Sequence, residues 1–359
     1  MTSLRLRATL ALAAAAFTAA CGGGDGSSGP SFADSVSTAD AQDAGNNVAA
    51  YASQVAFAMN FGGPSIGIFA APALTRVKSY LPSTPAVFAG RELPAVDLSA
   101  LDLRHPAAVK GLMLADPSAS CTYSGHGFTG GFGFDGDPID VNGNGIPDDF
   151  AFRVECVESD SVAPDTTVTM RIVQDYAIKE LTGSLYGGTI AVHVLARYSD
   201  NHGRYEEEKI DLTGKQDIRA DGIIDQASLE VHQGANNNID PVVAISAGES
   251  WDNRFDPAST ISLGSDIPDG ALTLNGKTWA ASTITGLNLS FTVSTPTPLA
   301  YSAACADADT NPPFTAGVLH GKLNNSSNQA SFQIDFTSCG NYDVTVNGAY
   351  DEVVVANHP

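Results

Sequence analysis

A period-two alternation of apolar and polar residues, which begins near residue 120, is the feature that most constrains the fold. Phe150, Phe152 and Val154 alternate with polar or small residues, and so do the apolar residues of segment 166–173. Successive side chains of a strand point to opposite faces, so this alternation predicts strands with one buried face. Further strands are predicted at 189–198, 205–212, 227–232, 271–274, 284–293, 316–323, 330–337 and 342–348.

Turn-forming residues separate these segments, and no predicted strand alternates regularly with a helix. The turn signals are Asn142-Gly143, Asn144-Gly145, Tyr186-Gly187-Gly188, Asn275-Gly276 and Asn347-Gly348. Asn-Gly pairs favour the positive φ angles of tight hairpins. Without strand–helix alternation a parallel α/β fold is disfavoured. The sequence therefore predicts a mainly β protein, an antiparallel β-sandwich or open barrel.

One helix is predicted, over residues 38–59. Val48, Tyr51, Val55 and Met59 recur there at helical spacing, so we expect this face to pack on the β core. The rest of the chain is divided as follows: an N-terminal helix and irregular segment at 36–118, and a β-rich domain at 119–355 with two possible halves at 119–235 and 236–355.

The first twenty residues have the pattern of an export signal. Residues 2–7 carry two arginines and no acid, residues 8–17 are apolar, and small residues precede Cys21. The apolar run is too short to span a bilayer. A Gly/Ser-rich segment at 21–35 follows and predicts a flexible tether.

This arrangement resembles a bacterial lipoprotein signal, in which the cysteine becomes the lipidated N-terminus. The resemblance implies a signal peptide at 1–20 and a lipid on Cys21, and Gly22 after the cysteine implies the outer membrane. Thr18 stands where the family usually has leucine. An ordinary secretory signal cut within 13–20, without an anchor, is the alternative.

The acidic composition restricts the partners. The chain has 18 Lys and Arg against 40 Asp and Glu, a net charge of −22. Nucleic acids and anionic lipid surfaces would repel such a chain, so no nucleic-acid partner is expected. The expected partners are the membrane, through the lipid anchor, and an unidentified envelope protein or glycan.

Four cysteines remain beside Cys21: Cys121, Cys156, Cys305 and Cys339. An even number in an exported protein predicts disulfides, although four cysteines allow three connectivities. The sequential pairing, Cys121–Cys156 and Cys305–Cys339, closes two loops of nearly equal span. Four reduced, buried cysteines are the alternative, which export disfavours.

One segment predicts a metal site. Asp140, Asn142, Asn144 and Asp148 place side-chain oxygens at positions 1, 3, 5 and 9 of a calcium loop, and Ile146 would offer its backbone carbonyl. Gly145 permits the sharp turn. The segment resembles the calcium loops of EF-hands and thrombospondin type 3 repeats, which implies a bound calcium ion.

The segment departs from that pattern at position 12, where Ala151 replaces the bidentate acid. Asp149, Asp137 or Asp135 is expected to replace it, and Asp137 is included among the predicted ligands. With few carboxylates, weak affinity is expected, and a strand-flanked loop favours a structural role. An Asn-Gly-rich hairpin without metal is the alternative.

Two function classes follow. The first is a lipid-anchored, calcium-stabilised, disulfide-containing envelope protein with a binding or structural role. The second is an envelope hydrolase acting on polysaccharide or peptide bonds, with Asp252 and Asp256 beside Trp251 in a cleft. No recognisable catalytic constellation is present, which favours the first.

The scattered histidines, including His193 and His202, do not have zinc-type spacing. Glu206-Glu207-Glu208 predicts a solvated strand start.

Overall fold

In the computed structural model the described residues form thirteen strands of one antiparallel sheet, in which every strand pairs with its neighbours in sequence. It describes residues 42, 45–46, 48–50, 52–53, 55–56, 120–127, 129, 138–236, 243–262, 264–282, 288–308, 310–324, 329–347 and 352–358. The strands are β1 (Ser120–His126), β2 (Asp149–Ala163), β3 (Thr166–Glu180), β4 (Tyr186–Asp200), β5 (Tyr205–Arg219), β6 (Gly222–Asn236), β7 (Val243–Pro257), β8 (Gly270–Ser282), β9 (Asn288–Tyr301), β10 (Phe314–Asn324), β11 (Gln329–Ser338), β12 (Asn341–Asn347) and β13 (Glu352–His358).

The mainly antiparallel β class is confirmed. Among the described residues β1 and β13 form the two ends of the sheet and do not pair with each other, so the sheet is open. The strands form one sheet instead of the two separate sheets of a sandwich. The sheet also continues across the possible boundary at 235/236, because β6 and β7 pair from Ile223–Phe255 to Ala235–Val243.

Alternation along the central strands gives the sheet one buried face, called the inward face below. In β6 every second residue from Ile223 to Ala235 is buried, and the intervening side chains are mostly half-exposed. Strand β7 was not predicted. Its inward positions include Glu249 and Asn253, both buried, so the apolar alternation on which the prediction relied is interrupted there.

The N-terminal helix, α1, is described at residues between 42 and 56 and packs on the inward face. Val48, Ala52 and Val55 are buried in the same core as residues of β7–β12. Helix and sheet approach closely, because a Cβ on Gly45 would lie 2.9 Å from Cγ1 of Val344. The predicted packing of this helix is confirmed. Tyr51, Met59 and the segment 61–118 lie outside the described residues.

Both sequential disulfides are confirmed, Cys121–Cys156 and Cys305–Cys339. Cys121 and Cys156 face each other across β1 and β2. Cys305 instead lies in a short helix that was not predicted, α2 (Ala303–Asp307), and binds Cys339 in the turn after β11. The two bridges therefore occupy different structural settings despite their similar spacing.

The turn predicted at Asn275-Gly276 is wrong, because both residues lie inside β8. Gly276 faces Trp251 of β7, and a Cβ on Gly276 would overlap the indole ring. The glycine is therefore explained by ring packing rather than by a turn. The turn predicted at Tyr186-Gly187-Gly188 likewise lies at the start of β4.

Gly276→Ala should destabilise the protein by about 1–3 kcal/mol, since the added methyl overpacks the core against the ring. In a Trp251→Leu background the cost should fall below about 1 kcal/mol, because the two positions are in contact. Urea unfolding of the four proteins measures this coupling. Equal costs of Gly276→Ala in both backgrounds would contradict the explanation.

Candidate calcium loop and its surroundings

The loop before β2 is closed around the carboxylate of Asp140. Its Oδ1 accepts the backbone N–H groups of Gly143 at 2.8 Å and Asn144 at 3.2 Å, and its Oδ2 accepts that of Gly145 at 2.7 Å. Gly143 and Gly145 have φ angles of 71° and 88°, which glycine adopts without strain. The sharp turn predicted at Gly145 is therefore present.

The side chains of Asn142 and Asn144 converge on Glu180, the last residue of β3. Their Nδ2 atoms donate to the same oxygen, Oε1 of Glu180, at 2.7 Å and 2.6 Å. The Oδ1 atom of Asn142 accepts the backbone N–H of Asn144 at 3.0 Å, and the Oδ1 atom of Asn144 accepts the backbone N–H of Ile146 at 2.8 Å. Two loop amides and one strand carboxylate thus meet at one point.

Glu180 is the acid that the sequence analysis missed. Its backbone N–H also donates to the carbonyls of Pro147 and Asp148, at 3.1 Å and 3.2 Å, so the loop is fastened to the end of β3. The acids expected to substitute at position 12 all lie close to the loop in sequence. Glu180 lies on the next strand, and its position at a strand end followed by a turn was the only available signal.

The remaining predicted ligands have different roles in the fold. Ile146 is fully buried, and its Cγ2 would lie 3.1 Å from a Cβ on Gly188, so its side chain anchors the loop in the core. Asp148 Oδ2 accepts the N–H of Val141 at 3.0 Å and closes the base of the loop. Asp137 and Asp135 lie outside the described residues.

This donor set has the chemistry that hard cations require. Asp140, Asp148 and Glu180 supply carboxylates, and Asn142 and Asn144 supply amide oxygens. Within the described part of the chain, no three His, Cys, Asp or Glu side chains group closely enough to hold a metal ion. A cation in this loop would therefore depend on the two asparagines.

The turn that follows Glu180 is held by a buried carboxylate, Asp217. Ser184 donates to Asp217 Oδ1 at 2.5 Å, Arg219 Nε donates to both carboxylate oxygens at 3.1 Å, and Lys215 Nζ lies 3.7 Å away. Burial alone would raise the pKa of Asp217, but the hydrogen bonds from Arg219 and Ser184 outweigh it and hold that pKa below its usual value. The ionised form of Asp217 is therefore the one that stabilises this turn.

A groove of about 630 Å³ crosses β1–β5. Along one side lie Ala151, Ala177 and Ala191, which face one another in register on adjacent strands. Along the other side lie an ion pair, Arg153–Asp175 at 2.9 Å, and a hydrogen bond between His193 Nδ1 and Asp211 Oδ1 at 2.5 Å. Small apolar residues next to oriented polar groups are a lining typical of ligand sites.

The hydrolase candidates are not brought together. Asp252 and Asp256 are four residues apart on one face of β7, a separation of about 13 Å along an extended strand. Trp251 points to the opposite, inward face and is buried. Asp252 binds Gln226 at 3.0 Å and Arg254 at 3.3 Å. Neither carboxylate faces the other across a cleft.

None of the described helices is long and apolar enough to cross a membrane. A scan of protein families finds no match to this chain, and searches of curated proteins and of solved structures find no similar protein.

Asp217→Asn should lower the free energy of unfolding at pH 7, and the loss should shrink as the pH falls below about 3.9. The folded pKa of Asp217 is depressed, so its contribution is present above the unfolded pKa and is lost as the pH falls through the folded one. Urea unfolding at several pH values measures this. Asp266→Asn, in an exposed loop, is the control and should change stability by less than about 0.5 kcal/mol. An equal loss from Asp217→Asn at every pH would contradict the ionised form's role.

Proposed function

We propose that this protein is a lipid-anchored component of the bacterial cell envelope, with a β domain that is stabilised by calcium and has a binding or structural role. The observation that carries the proposal is the convergence of Asn142, Asn144 and Glu180 on one point beside a loop closed around Asp140. The groove across β1–β5 is the surface that we assign to a binding role.

The residues that would hold calcium are Asp140, Asn142, Asn144 and Glu180, with the backbone carbonyl of Ile146. Calcium takes six to eight oxygen ligands, commonly from carboxylates, amides and carbonyls. Asn142 and Asn144 direct their amide nitrogens at Glu180 and their amide oxygens at backbone N–H groups of the loop. Both side chains would therefore reorient when calcium binds, so that their oxygens join the carboxylate of Glu180 around the ion. Glu180 supplies the acid that Ala151 lacks at position 12.

The role that we assign to the ion is structural. The loop is joined to β3 through Glu180 and to the core through Ile146, and β2 follows it immediately. An ion that binds the closed loop and not the unfolded chain stabilises the whole sheet by mass action. The acidic net charge of −22 also favours divalent cations over anionic partners.

Calcium at about 10 mM should raise the free energy of unfolding by about 1.4–2.7 kcal/mol, if the dissociation constant is in the ~10⁻⁴–10⁻³ M range of extracellular modules. Titration calorimetry and thermal unfolding with and without calcium measure the binding and its effect. Asp140→Ala should abolish both. Asp165→Ala, in the turn between β2 and β3 at the opposite end of those strands, should change neither. Wild-type protein that shows no heat and no calcium-dependent shift would contradict the proposal.

The lipid anchor predicts that a labelled fatty acid is incorporated into the protein when the precursor is expressed in a bacterium. Cys21→Ser should remove the label, because lipidation requires the thiol. Cys121→Ser is the matched control and should keep the label. Unlabelled wild-type protein would contradict the lipid anchor.

A further inference from the structure

Three polar side chains form a row on the inward face of β5, β6 and β7. Gln216 faces Asp225 across β5 and β6, and Asp225 faces Asn253 across β6 and β7. Their exposed fractions are 1%, 2% and 0%. Adjacent strands are about 4.8 Å apart, so the three functional groups are near neighbours. We call these residues the interior polar row.

The interior polar row lies inside an apolar core. On one side is the row Ile218, Ile223 and Phe255, all buried in the core that also contains α1. On the other side Trp251 is buried in the same core. Polar groups in such surroundings are unfavourable unless they form hydrogen bonds.

Among the described residues, the amide of Gln216 has no hydrogen-bond partner. Both its Nε2 and its Oε1 are buried, and neither makes a hydrogen bond. Most buried polar atoms in folded proteins are hydrogen-bonded to protein or to ordered water. An amide left with one donor group and one acceptor unpaired therefore indicates a bound group that both accepts and donates.

The positions next to Gln216 on the inward face carry small residues. Its neighbour on β4 is Gly188, and two residues before it on β5 is Gly214. Ala227, two residues after Asp225 on β6, faces Gly214. Three adjacent positions thus carry a methyl group or no side chain. The Cγ2 atom of Ile146, in the loop before β2, would lie 3.1 Å from a Cβ on Gly188.

We propose that the interior polar row binds hydroxyl groups, from ordered water or from a small carbohydrate. A hydroxyl both donates to Oε1 and accepts from Nε2 of Gln216, which a metal cation or an anion alone does not do. Asp225 and Asn253 extend the same hydrogen-bonding surface over two further strands. Buried water typically makes about three hydrogen bonds to polar groups of this kind.

The first test is the unfolding equilibrium of Gln216→Met in the full mature chain. Methionine has a similar length and no amide, so bound hydroxyls lose their partner and the unfolding constant should rise about tenfold. Gln329→Met, at the exposed start of β11, is the control and should have a smaller effect on the unfolding constant. A fall in the unfolding constant of Gln216→Met would overturn the proposal, because it would show that an unpaired amide had been removed.

The second test identifies the source of the hydroxyl. A high-resolution crystal structure, grown without sugar or polyol, should show oxygen density within hydrogen-bonding distance of both amide atoms of Gln216 if the ligand is water. A glucose-dependent rise in the melting temperature of wild type, absent in Gln216→Met, would assign the site to carbohydrate. No oxygen density beside Gln216 together with no effect of glucose would overturn the proposal.

Discussion

The in-register pairing of neighbouring strands is the constraint on which the rest of this structure depends. It fixes which side chains share the inward face, since a shift of one residue would turn every side chain of a strand to the other side. In β5, β6 and β7 it aligns Ile218, Ile223 and Phe255 as one apolar row. The same register places Trp251 over Gly276 and forms the polar row beside it. Core packing and the candidate sites therefore result from one set of backbone hydrogen bonds.

Much of the fold was predictable because the alternation of residues reports directly on burial. The β class, the packing of Val48 and Val55 of α1, and the two sequential disulfides are confirmed. The sequence-based predictions of strands and of solvent exposure were wrong in segments whose polar residues are buried. Glu208, expected in a solvated stretch, is buried and accepts a hydrogen bond from Gln233. Strand β7 was overlooked for the same reason, because Glu249 and Asn253 occupy inward positions. Sequence patterns identify an apolar face, but they do not show when a polar side chain finds a buried partner.

The candidate site was predictable only in its local part. Asp140, Gly143 and Gly145 shape the loop through contacts within a few residues, which the spacing of the motif encodes. Glu180 joins the loop through strand pairing, over a separation of nearly forty residues, and no spacing rule contains that information. The connection between β1 and β2 is consequently held in three ways: by the Cys121–Cys156 disulfide, by the burial of Ile146, and by the contacts to Glu180. We propose that bound calcium is a fourth interaction that stabilises this connection.

The most direct measurement of this account is a crystal structure of the mature protein grown with calcium, with anomalous scattering used to locate the ion. We predict one anomalous peak about 2.3–2.6 Å from oxygens of Asp140 and Glu180, with both asparagine amide oxygens turned toward it. A loop in which Asn142 and Asn144 still donate to Glu180, with no peak beside Asp140, would contradict the central claim.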